Sequence, residues 1–91
     1  MEIEYDLAKN EKNIKERGLS FKLVNDFDFD SALIVEDGRH DYGEPRYLAL
    51  GYIGSHLHVL VFTPRDAALR VISLRKANPK EIKKYEQNTK S

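Results

Sequence analysis

Ninety-one residues, 41% of them apolar, suffice for one folded domain over residues 1–91 and leave no room for a second core. The chain has no cysteine, which excludes disulfides, thiolate zinc sites and thiol catalysis. No apolar stretch approaches the ~20 residues of a membrane-spanning helix. The acidic start has no apolar run of the kind that exports a protein. The formal net charge is zero, which by itself argues against a general nucleic-acid binder.

Residues 2–5 alternate and form a strand candidate, with Ile3 and Tyr5 on one face. Asp6 suits a helix N-cap, and a helix then runs to about Arg17, where Gly18 can end it in the left-handed conformation. This helix is polar, and Leu7 and Ile14 are its main expected apolar anchors. Ser20 is a second cap. Phe21, Val24 and Phe27 follow at helical spacing and predict a helix of about two turns, with Leu23 and Phe29 also available to the core. Residues 32–35 form a strand candidate, and the loop EDGRHDYG at 36–43 turns the chain.

Residues 46–53 read as a strand, and Gly54-Ser55 suits a two-residue II′ turn. Two short apolar runs rich in β-branched residues follow, Leu57–Phe62 and Leu69–Leu74. Pro64, Arg65 and Asp66 stand between them, so both read as strands. Short strands with tight connections predict an antiparallel meander. Asn78-Pro79-Lys80-Glu81 is a helix start: Asn78 caps, Pro79 takes the first helical position, and Glu81 can reach back in a capping box. Ile82 and Tyr85 would share the packing face, and the tail from Gln87 is polar and frays. The predicted fold class is α+β: two N-terminal helices, an antiparallel sheet of about four strands and a C-terminal helix.

Charge is unevenly distributed. Residues 1–64 carry 7 Lys/Arg against 12 Asp/Glu, and residues 65–91 carry 8 against 3. A basic C-terminal third can face phosphates and an acidic middle can face a basic partner, or the two can neutralise each other in the fold.

Three stretches taken together resemble one family: IEYDLAKNEKNIKERGLSF, then EDGRHDYGEPRYLALG, then VLVFTPR followed by RVISLRKANPKEIKKYE. They are similar to BrnT-type toxins, the ribonuclease half of type II toxin–antitoxin pairs. The most specific piece is R-x-I-S-x-R-K-A…E…Y, from Arg70 to Tyr85. The resemblance implies a RelE-like fold. It implies a metal-independent endoribonuclease that cleaves RNA in the cytoplasm, without a cofactor, to arrest translation and growth. It also implies a cognate antitoxin of ribbon-helix-helix type, through which alone the toxin would reach operator DNA, and no membrane partner.

RNA cleavage without a metal needs a base for the 2′-hydroxyl proton, an acid for the leaving oxygen, and cations for the charged phosphorane. Arginine suits the last task, because its planar fork stays charged and grips phosphate at two points. A turn at Gly54-Ser55 sets position 53 against 56 and Arg46 against Thr63. A turn near Asp66 brings Arg65 close to Ala68 and Leu69. Glu44, Arg46, Thr63, Arg65 and Arg70 then gather at one end of the sheet. They form either a phosphate clamp with Glu44 as base or orienting partner, or a group of surface ion pairs.

Arg75, ten residues beyond Arg65, falls at the other end. It is expected opposite His58 and near His56 and Tyr52, with Lys76 and Lys80 following. The catalytic candidates are Arg65, Arg70, Arg46, Glu44 and Arg75; the RNA-binding candidates are Lys76, Lys80 and Tyr85. Tyr85 can pack on the core or stack on a base. His58 reads as an exposed strand histidine or an acid–base group, and His40 in the loop can titrate near neutrality.

His56 and His58 share a strand face with no further metal ligand in view. Asp26, Asp28 and Asp30 lack the glycine and distal glutamate of a calcium loop and read as a polar edge, so no metal site is expected. The alternative to a ribonuclease is a non-enzymatic partner-binding module or co-repressor with weak or lost nuclease activity, a reading that the neutral net charge favours.

Overall fold

The computed structural model describes residues 2–38 and 43–89; His40 lies outside them. Strand β1 (Glu2–Glu4) leads into helix α1 (Leu7–Arg17) and a 3-10 helix (Phe21–Asp26). Four strands follow: β2 (Leu33–Glu36), β3 (Tyr47–Ile53), β4 (His56–Arg65) and β5 (Ala68–Lys76). Helix α2 (Pro79–Thr89) closes the chain. The fold is α+β, but the sheet has five strands and is mixed, in the order β1-β5-β4-β3-β2. The meander β2–β5 is antiparallel, as expected. The difference is β1, which adds in parallel outside β5, with Glu2, Ile3 and Glu4 beside Ala68, Leu69 and Arg70. In this position Ile3 and Tyr5 pack against the core.

The local signals act as their chemistry dictates. Asp6 accepts from the Ala8 and Lys9 amides at 2.8 and 3.4 Å. Gly18 ends α1 at φ 69°, a conformation that costs glycine little. Ser20 caps the 3-10 helix through the Lys22 amide. Gly54 takes φ 61° in the β3–β4 turn and Asp66 takes φ 48° in the β4–β5 turn. Around these turns Ile53 pairs with His56 and Arg65 with Ala68, as the turn positions predict.

One sheet face packs against α1 and the 3-10 helix. Leu60, Phe62, Leu69, Val71 and Leu74 meet Phe21, Val24 and Phe27 there. Each such side chain, fully buried, contributes roughly 1.5–3 kcal/mol. Phe27 lies over Gly51, where an added β-carbon would stand 2.6 Å from the ring Cζ and 3.1 Å from Ala32 Cβ. The opposite face packs Leu50, Leu57 and Val59 under Tyr85 of α2.

Helix α1 is attached differently from expectation. Leu7, 74% exposed, does not anchor it, and Ile14 is 40% exposed. The buried residues are Asn10 and Asn13. Asn10 Oδ1 accepts from the Phe21 amide at 2.8 Å. Asn13 Nδ2 donates to the carbonyls of Leu19 (2.9 Å) and Leu74 (3.0 Å). Leu74 lies on β5 beyond the reach of β1, so Asn13 satisfies an edge carbonyl that would otherwise be buried without a partner.

A bulge in β5 decides which side chains share a face. Phe62 pairs with Val71, yet Val61 pairs with Ser73, leaving Ile72 as the extra residue. Strand side chains alternate between faces, so the insertion flips everything after it. Leu74 therefore turns into the core beside Leu60, and Arg75 turns to the α2 face. The expected pairing of Arg75 with His58 is corrected accordingly: Arg75 pairs with Val59, and His58 pairs with Lys76.

Candidate functional site

Alternation along β4 puts Val59, Val61, Thr63 and Arg65 on the α2 face. Thr63 is fully buried, and its hydroxyl donates to the Pro45 carbonyl. That bond ties the chain before β3 to β4. Arg70 pairs directly with Thr63. Continuing the Tyr47–Phe62 pairing brings Arg46 to its other side. Arg65 stands two residues further along on the same face. Arg46, Arg65 and Arg70 thus surround one buried threonine at the end of the sheet remote from α2.

Each of two arginines has a carboxylate partner. Arg65 approaches Glu44 at 3.2 Å, with the side chains 45% and 34% exposed. Arg70 lies 3.9 Å from Glu4, at 32% and 45%. Such solvent-facing pairs are worth about 1 kcal/mol or less, so either arginine can exchange its partner for a phosphate. Glu4 reaches Arg70 only because β1 docks in parallel, a partner that the sequence gives no sign of.

Arg75 is held differently. Its two terminal nitrogens donate to the two carboxylate oxygens of Glu81, both at 2.7 Å. Glu81 also accepts from the Asn78 amide at 2.9 Å, while its own amide donates to Asn78 Oδ1 at 2.8 Å. The capping box is therefore as expected, and its glutamate has a second partner. The Arg75 bonds hold the Glu81 carboxyl below its ordinary range; reciprocally, Glu81 makes the guanidinium harder to deprotonate. The pair latches the start of α2 to β5.

The second expected group does not assemble. Arg75 faces α2, whereas His58 faces the other side of the sheet. His58 is only 4% exposed, against its expected exposed position, and its Nδ1–H donates to the His56 carbonyl at 2.8 Å. Burial depresses its pKa. Lys76 and Lys80 are exposed, with Lys76 on the face away from Arg75. Tyr85 is buried, its ring edge-on to Tyr52 with centroids 5.5 Å apart and its hydroxyl bonded to the Ser31 carbonyl at 2.8 Å. Of the two readings of Tyr85, this packing matches the one on the core. Ile82, expected beside it, is 38% exposed. Among the described residues, no group of three or more His, Asp or Glu side chains is placed to hold a metal ion.

A family model described as ribonuclease toxin, BrnT, of type II toxin–antitoxin system matches residues 5–81. The match contains Glu44, Arg46, Thr63, Arg65, Arg70 and the Arg75–Glu81 pair. No curated protein matches the chain. No helix among the described residues is long and apolar enough to cross a membrane.

Proposed function

Because the chain belongs to the BrnT family of ribonuclease toxins of type II toxin–antitoxin systems, we propose that RNA is cleaved at the Thr63 end of the sheet. Arg46, Arg65 and Arg70 hold the scissile phosphate and stabilise the negative charge that builds on it. Glu44 accepts the 2′-hydroxyl proton as that oxygen attacks phosphorus, and the 5′-oxygen leaves with a proton from water. No metal ion takes part. Arg75 stays engaged by Glu81 and acts as a positioning residue for α2.

In the cell this activity arrests translation in the cytoplasm. A cognate antitoxin of ribbon-helix-helix type neutralises it and carries the complex to operator DNA. The observation that supports this site is the contrast among the arginines. Arg65 and Arg70 have loose, exposed partners at 3.2 and 3.9 Å, while Arg75 is gripped at two points.

The test is purified toxin freed of antitoxin, given RNA with and without ribosomes and with and without a chelator. Cleavage that survives the chelator is expected. If no RNA is cut under any of these conditions, the enzyme reading is wrong. If Arg65→Ala and Arg70→Ala both arrest growth as strongly as the parent, the active site is elsewhere.

A further inference from the structure

Among the described residues, the face shared by α2 and the arginines has an uncovered strip between them. Strand pairing arranges it in rows. Arg75, Val59, Leu50 and Leu33 form one row, whose Val59 and Leu50 lie under α2. Ser73, Val61, Leu48 and Val35 form the next. Beyond them come Arg70, Thr63 and Arg46. Over the strip opens a groove of about 220 Å3, lined by Leu33, Val35, Leu48 and Leu50, with Glu81 and Lys84 of α2 on its wall. Val35 is 50% exposed and Leu48 is half-buried. Branched aliphatic side chains in a row are left facing solvent.

We propose that this groove receives one base of the RNA, next to the phosphate held by the arginines, and sets the sequence preference of cleavage. The inference rests on the active-site assignment above. Leu48 follows Arg46 by two residues on the same face, roughly 7 Å along the strand, the scale that separates a nucleotide's phosphate from its base. An aliphatic floor offers van der Waals contact to the flat face of a base. The volume suits one ring system. A partner helix would need a longer trough to seat anchors over two turns.

The wall supplies hydrogen bonding. Glu81 is already engaged by Arg75 and the Asn78 amide, whereas Lys84 has no ion pair among the described residues and can donate to acceptors on a base edge. The groove therefore favours a base that presents carbonyl or ring-nitrogen acceptors toward α2.

The test uses antitoxin-free toxin and short single-stranded RNA, made uncleavable by 2′-deoxy substitution at the cut site. One series replaces each base in turn by an abasic residue, and binding is followed by fluorescence anisotropy. Removing the base at one position adjacent to the scissile phosphate is expected to weaken binding about tenfold. In Val35→Trp, which fills the groove from an exposed edge, that position is expected to lose its effect. Arg65→Ala is expected to weaken intact and abasic RNA alike.

Equal binding of intact and abasic RNA by the parent overturns the base pocket while leaving the arginine site standing. If Arg65→Ala and Arg70→Ala weaken neither RNA, the active-site assignment fails and the pocket falls with it. If Val35→Trp keeps the abasic effect but loses affinity for the antitoxin, the groove belongs to the antitoxin.

Discussion

Arg75 meets Glu81 fork to fork, two hydrogen bonds of 2.7 Å joining the end of β5 to the first turn of α2. Removing either partner is expected to destabilise the fold by about 1–2 kcal/mol, the range for a charged bidentate pair discounted for its partial exposure. A double-mutant cycle with Arg75→Ala and Glu81→Ala, read by urea melts, measures the coupling. The pH dependence has a definite sign. Arg75 depresses the Glu81 carboxyl from its ordinary value of 4.5. The stabilisation is therefore complete above pH 4.5 and is lost as pH falls through the lowered value. Arg75→Ala should melt with a shallower acid dependence than the parent.

Arg65→Ala and Arg70→Ala should each lower RNA cleavage about 100-fold, the order of effect of removing one transition-state donor. Their exposed ion pairs contribute little to stability, so thermal unfolding should barely move. Lysine at either position keeps the charge but loses the fork, and is expected to restore binding better than turnover. A variant whose cleavage matches the parent's, with folding intact, removes that arginine from the site.

His58 predicts a second pH effect in a different window. Burial, with the positive charge of nearby Lys76 adding to it, depresses its pKa from 6.5, against the pull of the His56 carbonyl. The neutral ring is the form that the fold accepts. Stability from this residue is complete above pH 6.5 and declines as pH falls toward the lowered value, because the unfolded chain binds the proton more readily. Urea melts at pH 7.5, 6.5 and 5.5 should show the decline in the parent. His58→Gln should flatten it, and His56→Gln, at an exposed position, should not.

Gly51→Ala should cost about 1–3 kcal/mol, the usual penalty for overpacking a core. The new methyl group would meet Phe27 Cζ at 2.6 Å, and that ring is itself packed against Phe29 with centroids 4.8 Å apart. Combining Gly51→Ala with Phe27→Leu should recover part of the loss. Full stability in the single variant would mean that Phe27 has room to move.

What can be read from the sequence here is what a few adjacent residues decide. Asp6, Gly18, Ser20 and Asn78 cap helices through atoms two to four positions away. The turns at Gly54-Ser55 and Asp66 propagate their register outward, which is why Glu44, Arg46, Thr63, Arg65 and Arg70 come together as the spacing predicts. The register fails ten residues from its turn. One extra residue inside Val71-Ile72-Ser73-Leu74 leaves no mark in an apolar run, yet it moves Arg75 to the other face of the sheet. Glu4 could not be paired with Arg70 because three residues of β1 do not announce a parallel partner. Groups that depend on leftover backbone atoms, such as Asn10 and Asn13, become visible only once the sheet edge is known.

The amide anchoring of α1 has a thermodynamic corollary. Denaturant sensitivity and heat-capacity change both scale with the apolar surface that opening uncovers. A helix tied down by Asn10 and Asn13, with Leu7 74% and Ile14 40% exposed in the folded state, uncovers little apolar side chain of its own when it lifts off. Its amides should therefore exchange with solvent through an opening that urea scarcely accelerates, while those of β4 respond steeply, so that α1 comes loose as a separate unit before the sheet gives way.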